Sequence, residues 1–305
     1  MDQSLKQRTE LFIRNRDIIK SNFRWDNSIL HPLCACLYTD KGMDVNPNKI
    51  KLAKEVIKKN VGVFSPFRGS IYLAYATLLS LEEAPEKKFK KILLAYEILK
   101  KEFWSSEYLP LSAFVMANMA EDSQYDKIVI KAKEIYQRMK SEHPFLTSRE
   151  DSGFALMFAL SDLTVDKAIY EMERCYQQLK DNFFSKNAVQ SLSHTLALGE
   201  EHSAKKCKNV MAIFDGLKAR GSKFGSGIEL SVLGVLAIST DDTSKVINDI
   251  IEVNEYLLNS KGFGAFGTGR DQRMMYCALL LMQEYNKEAE DNLRNMTSIN
   301  TITNI

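Results

Sequence analysis

Apolar positions along this chain follow two alternating patterns. In segments such as KFKKILLAYEILKKEF (88–103) they recur every three or four residues with charges on the other face, which predicts an amphipathic helix. In segments such as SIYLAYATLLSL (70–81) and LPLSAFVMANMA (109–120) nearly every position is apolar or small, which predicts a helix buried on all sides. The second pattern returns as GFALMFALS (153–161), AVQSLSHTLALG (188–199), IELSVLGVLAIS (228–239) and RMMYCALLLM (273–282), with a weaker first member, SILHPLCACLY (28–38). Val and Ile fall at helical spacing, and no pair of strand-like runs flanks an Asn-Gly or Asp-Gly dipeptide, so strands are not expected.

The amphipathic segments share an ending. An apolar anchor closes each one: Ile19, Ile57, Leu99, Met139, Leu179, Leu217 and Leu257, at steps of 38, 42, 40, 40, 38 and 40 residues. A lysine follows every anchor but the last, in the final turn where a cation suits the helix dipole. Tyr96, Tyr136, Tyr176 and Phe214 stand three residues before their anchors, on the same helix face. A fixed period near 40 residues is the mark of stacked helical units. Start and stop signals recur as well. Asn46-Pro47 and Pro85 place proline in a first turn, while Ser123, Thr164, Ser203 and Thr243 stand where an N-cap oxygen is wanted. Gly42 and Gly199 are expected to end helices in the left-handed conformation.

These signals predict an all-α chain of seven consecutive helical hairpins with no linker. An open solenoid would show water a polar inner face, and these inner helices are mostly not polar. The expected architecture is therefore an α/α-toroid-like ring or a tightly wound α-solenoid. It would form one domain over residues 1–290, followed by a flexible tail over 291–305.

Every turn from an amphipathic helix to an apolar one is expected at the same end of the array, and each pairs an aromatic with a short polar residue. The candidate rim residues are Trp25, Asp26, Phe64, Arg68, Trp104, Glu107, Arg149, Asp151, Phe184, Phe263, Phe266, Arg270, Asp271 and Arg273. Such turns serve as hydrophobic staples before a helix cap, or as loops around a binding site, or as both. The last turn is the richest in glycine, with four of the chain's 14 in GFGAFGTG (262–269). No strand precedes it, so it is not a dinucleotide fingerprint. Ahead of a helix, with Arg270 and Arg273, it could hold an anion or simply form a wide turn. His194, midway along an apolar helix, is a candidate acid or base, or a core histidine bonded to a carbonyl. Asp26, Glu107, Glu150, Asp151 and Asp271 could supply paired carboxylates for glycoside hydrolysis, and serve equally as helix-start acids.

Composition narrows the partners. The net charge is only +2, and lysine runs such as KKFKK (87–91) sit among acids, which argues against nucleic acid. No apolar run reaches the length of a membrane span, and the N-terminus lacks an apolar signal core. Five irregularly spaced cysteines suit a reduced cytoplasmic protein that uses them as small hydrophobes. His31, Cys34 and Cys36 do not converge on a helix, so no metal is expected, and no cofactor motif is present.

The pieces NFRWDNS (22–28), FSPFRG (64–69), HPFLTS (143–148), LSHTLALG (192–199) and KGFGAFG (261–267) resemble the bacterial domain-of-unknown-function family 4003, from about Leu11 to Gln283. The resemblance implies a bacterial cytoplasmic protein and carries over no catalytic residue. The expected function is a binding module for a small molecule or protein at the loop end. The alternatives are an enzyme with a central cavity for a glycan or isoprenoid-like substrate, and a scaffold that uses its charged helices.

Overall fold

The structure is a computed structural model and describes residues 1–106, 108–227, 229–264 and 267–285. Every regular element among them is helical. The chain runs through α1 (Gln3–Asn22), α2 (Leu30–Asp40), α3 (Pro47–Asn60), α4 (Tyr72–Ser80), α5 (Pro85–Glu102), α6 (Leu109–Met119), α7 (Tyr125–Glu142) and α8 (Ser152–Leu160). It continues through α9 (Val165–Leu179), α10 (Lys186–Ala197), α11 (Ser203–Ala219), α12 (Leu230–Ser239), α13 (Thr243–Leu258) and α14 (Arg270–Tyr285). Each expected apolar segment coincides with an even-numbered helix, its ends displaced by up to three residues.

The described residues form two compact units. One is Leu11–Asp162; the other joins Met1–Glu10 to the chain from Leu163 onward. In the first unit α3 packs on α4, α5 on α6 and α7 on α8, while α3, α5 and α7 meet in sequence. Also in that unit, α2 meets α4 and α6 meets α8. In the second unit α9, α11 and α13 pair with α10, α12 and α14, and each set also packs within itself. Segment 1–10 belongs to this second unit through side chains: Arg8 Nε lies 3.2 Å from Glu284 Oε2, and the Tyr256 hydroxyl donates to Glu10 Oε1 at 3.0 Å.

Burial follows the two sequence patterns. All seven anchors are buried, as are Tyr96, Tyr176 and Phe214, while Tyr136 is partly exposed. On α9 the buried set is Ala168, Ile169, Met172, Cys175, Tyr176 and Leu179, one helical stripe. On α12 every residue from Leu230 to Ala237 is buried, and on α14 every one from Met274 to Met282. The proline starts hold: Asn46 accepts from the amides of Asn48 and Lys49 ahead of Pro47, and α5 begins at Pro85. Thr164 caps α9 through the Lys167 amide.

Three expected caps shift. Asp242, not Thr243, caps α13 by accepting from Lys245 N; His202, not Ser203, caps α11. Ser123 lies inside a short 3-10 turn whose capping box is made by Glu121 and Gln124. Asp and His one position upstream present an acceptor as well as Ser or Thr does, so hydroxyl position alone misplaces the start. Gly42 has φ 65°, as expected, but Gly199 does not take a left-handed angle. It sits against Ile238 instead, where a Cβ would meet Cγ2 at 3.0 Å, so close packing explains that glycine.

A lysine device absent from the sequence reading links the helices of a pair. Lys91 Nζ donates to Ala120 O at 3.0 Å, Lys131 Nζ to Ser161 O at 2.9 Å, and Lys88 Nζ to Ala117 O at 3.3 Å. Each cation from an odd-numbered helix thereby satisfies a carbonyl at the end of the next helix, which has no intrahelical partner.

Candidate functional site

The turns from odd-numbered to even-numbered helices divide their aromatic side chains into two groups. One residue in most turns is buried: Phe23, Phe67, Phe103, Phe183, Phe224 and Phe263. Several of these meet the recurrent aromatic of the next odd-numbered helix. Phe67 lies 5.1 Å from Tyr96, Phe103 5.8 Å from Tyr136 and Phe183 4.9 Å from Phe214, all edge to face. Edge-to-face contact is the favoured geometry for such rings and adds to their burial. Serines of the same turns cap the following segments: Ser65 accepts from Phe67 N, Ser106 from Leu109 N, Ser148 from Glu150 N and Ser185 from Ala188 N. The turn after α7 differs. There Thr147 is the buried residue, and its hydroxyl donates to Met139 O at 3.0 Å.

Four of these turns hold a second aromatic that points to water, and the turn after α7 exposes its one aromatic, Phe145. Trp25 is 88% exposed and Trp104 78%, while Phe64, Phe145 and Phe184 are in water almost completely. Phe145 was not among the rim candidates. Its signal in the sequence is the Pro-Phe-Leu run before Thr147 and Ser148, which has no second aromatic to take the buried place.

In the first unit the exposed aromatics lie on linked turns. Asp26 Oδ1, next to Trp25, meets Lys54 Nζ of α3 at 2.5 Å, and that ammonium lies 4.9 Å over the Tyr72 ring. A groove of about 350 Å³ is shared by Val63, Phe64 and Arg68 of one turn and Ser105 and Ser106 of the next. Arg149 lies 5.6 Å over the Trp104 ring, which joins the turn after α7 to the turn after α5. Arg24 stacks over Trp25 at 4.9 Å. Larger grooves of about 630 and 510 Å³ lie at the opposite helix ends, lined by residues such as Glu83, Ala84, Lys87 and Lys90.

Several candidates leave the rim. Phe263 is completely buried, so it is a staple. Arg273 is buried too: its Nε donates to Asn254 Oδ1 at 2.8 Å and its NH1 to Phe263 O at 2.9 Å, tying the glycine turn to α13. Arg270 is exposed and pairs with Asp271 at 3.0 Å. The turn itself closes on its own backbone. Gly262 has φ 89°, Thr268 N donates to Gly262 O at 3.1 Å, and a Cβ at Gly267 would fall 2.1 Å from that oxygen. The turn therefore accounts for Gly262 and Gly267, while Arg273 is engaged by Asn254 and Phe263 and Arg270 by Asp271. Glu107 and Phe266 lie outside the described residues.

The acid–base candidates are dispersed. Asp151 is buried, and its Oδ2 accepts from Ser148 N at 2.7 Å. Desolvation pushes its carboxyl up to about 6 against the hydrogen bonds from Ser148. Asp26 is held by Lys54 on the surface, and Glu150 is exposed. His194 is buried within α10 and so is no part of an exposed rim. His31 is buried near Phe23 O at 3.2 Å, and burial lowers its pKa, which keeps the ring neutral. All five cysteines are buried free thiols, with Cys34 pushed up to about 12 by desolvation. Among the described residues no three His, Cys, Asp or Glu side chains gather to hold a metal.

A protein of Bacillus subtilis (strain 168) described as uncharacterized protein YeaA is 24% identical to this chain over 208 residues. The match covers 66% of this chain and 63% of that relative, so it spans less than two thirds of the relative's length. No solved structure matches the chain. The family model for DUF4003, described as a protein of unknown function, matches residues 15–305, and the chain therefore belongs to that family.

Proposed function

We propose that this chain is an α/α-repeat binding module whose working surface is the set of turns leading into the even-numbered helices. The carrying observation is the pairing, in the turns after α1, α3, α5 and α9, of one buried aromatic with one held in water. A fold that needed only staples would stop at the buried member. Trp and Phe are the side chains that anchor interfaces when a partner covers them. The repeat arrangement, with seven pairs closing as a toroid or tight solenoid in one domain, belongs to the same proposal. Its supports are the spacing of the anchors and the contacts of Arg8 and Glu10 with Glu284 and Tyr256. Five free buried thiols support a reducing compartment.

The test places a photocrosslinking amino acid at position 64 or 145 and, as a comparison, at Ile130, an exposed site on α7 away from the turns. Adducts in living cells are expected from the turn positions and not from position 130. Adducts from 130 alone would move the working surface to the charged helices and make the protein a scaffold.

A further inference from the structure

Trp25, Phe64, Trp104 and Phe145 of the first unit stand as separate prongs. The Phe64–Ser105 groove and the Arg149–Trp104 stack link the last three turns, and Asp26 of the first reaches Lys54 of α3, which lies over Tyr72 at the start of α4, so they make one edge. Cations accompany the rings along it: Arg24 over Trp25, Arg68 in one groove with Phe64, and Arg149 over Trp104, with Lys59 and Lys101 in the last turns of α3 and α5. Of the acids at this edge Asp26 is paired with Lys54 and Asp151 is buried, while Glu102, Glu142 and Glu150 stay exposed. The opposite ends of the same helices mix the signs, with Glu82, Glu83, Glu86, Glu121, Asp122 and Asp126 beside Lys87, Lys88, Lys90, Lys91 and Lys127. The unit is thus distinguished at this end by exposed rings with cations among them.

Resting on the binding reading above, we infer that this edge docks on an anionic lipid surface, the four aromatics entering the headgroup layer while the neighbouring cations meet lipid phosphates. Interleaved aromatic and basic side chains are the pattern that holds proteins at a charged membrane interface. A rigid protein partner would need a matching socket for each prong, whereas a fluid layer accepts all four wherever they stand. Single-stranded nucleic acid would need ring faces to stack on, and Arg24 and Arg149 each occupy a face of a tryptophan. No helix among the described residues is long and apolar enough to cross a membrane, so the association is peripheral.

The chain has two tryptophans, and both lie on this edge, which makes intrinsic fluorescence a direct reporter. Vesicles containing phosphatidylglycerol are expected to sediment the full chain and shift its emission to the blue. Vesicles of phosphatidylcholine alone should bind about tenfold more weakly, and added salt should release the protein. Phe64→Ser with Phe145→Ser keeps both reporters at sites where folding is not at stake, and should weaken binding about tenfold. The inference is overturned by absence of binding to either vesicle, by equal binding to both, or by a blue shift with a single-stranded oligonucleotide and none with lipid. Protein adducts from positions 64 and 145 with no vesicle binding would sink the lipid partner and leave the binding reading standing. Silence in both assays would sink both.

Discussion

Phe103 and Trp104 are neighbours in sequence with opposite fates. Phe103 is buried against Tyr136, and Trp104 is open to solvent. Phe103→Ala should therefore lower stability by about 3–5 kcal/mol in urea unfolding, the usual range for a truncated core aromatic. Trp104→Ala should stay within about 0.5 kcal/mol, as surface changes do. A double mutant cycle on Phe103 and Tyr136 should return a coupling of about 0.5–1.5 kcal/mol. Asp151 provides a test in pH. Its carboxyl is raised from 3.8 to about 6, so the folded state holds the proton more tightly than the unfolded chain does. The ionisation penalty is absent below about pH 4, grows between about 4 and 6, and is complete above that. Asp151→Asn removes the charge and keeps an acceptor for Ser148 N. Its Tm advantage over the parent should be nil at pH 4 and reach its full size by about pH 7.

Helix-scale order is the part most open to reading from sequence. Periodicity located the apolar helices within three residues, because a core face tolerates no charge and the charged face tolerates no long apolar run. Proline at α3 and α5 marked their starts because its missing amide is harmless there. What stayed hidden depends on chain folding rather than local preference. Nothing near Lys131 says that its ammonium will reach Ser161 O, 30 residues on. Lys131→Met should cost about 1–2 kcal/mol by denaturant titration, since it strands a helix-end carbonyl. Likewise the glycines of 262–269 admit either an anion cradle or a wide turn, and nothing local says that Arg273 will be committed to Phe263 O or that Gly267 will lie against Gly262 O. Gly262→Ala should destabilise by about 1–2 kcal/mol for its left-handed angle, and Gly267→Ala by more, because the added methyl meets backbone. Inorganic phosphate should protect neither variant nor parent in a thermal shift.

For the molecule as a whole, the chain totals were a poor guide to the site. A net charge of +2 suggested no favoured partner, yet in the first unit Arg24, Arg68 and Arg149 all lie with the exposed rings. The candidate edge was legible only in part for the same reason. Trp25, Phe64, Trp104 and Phe184 were singled out from their turns, but so was Phe263, because one residue type fills both the buried and the solvent position. Distinguishing them requires knowing which ring the next helix presents, as Tyr96 and Tyr136 do.

The buried sulfur atoms carry a consequence for measuring this protein. Cys34 and Cys36 lie in one compact unit, and Cys175, Cys207 and Cys277 in the other, all inaccessible to reagent in the native state. Alkylation in native buffer should therefore proceed only through transient opening, with separate clocks for the two units read by peptide mass. A common rate for all five would mean that the units melt as one cooperative block, and two rates would give each its own opening energy without any probe being added to the chain.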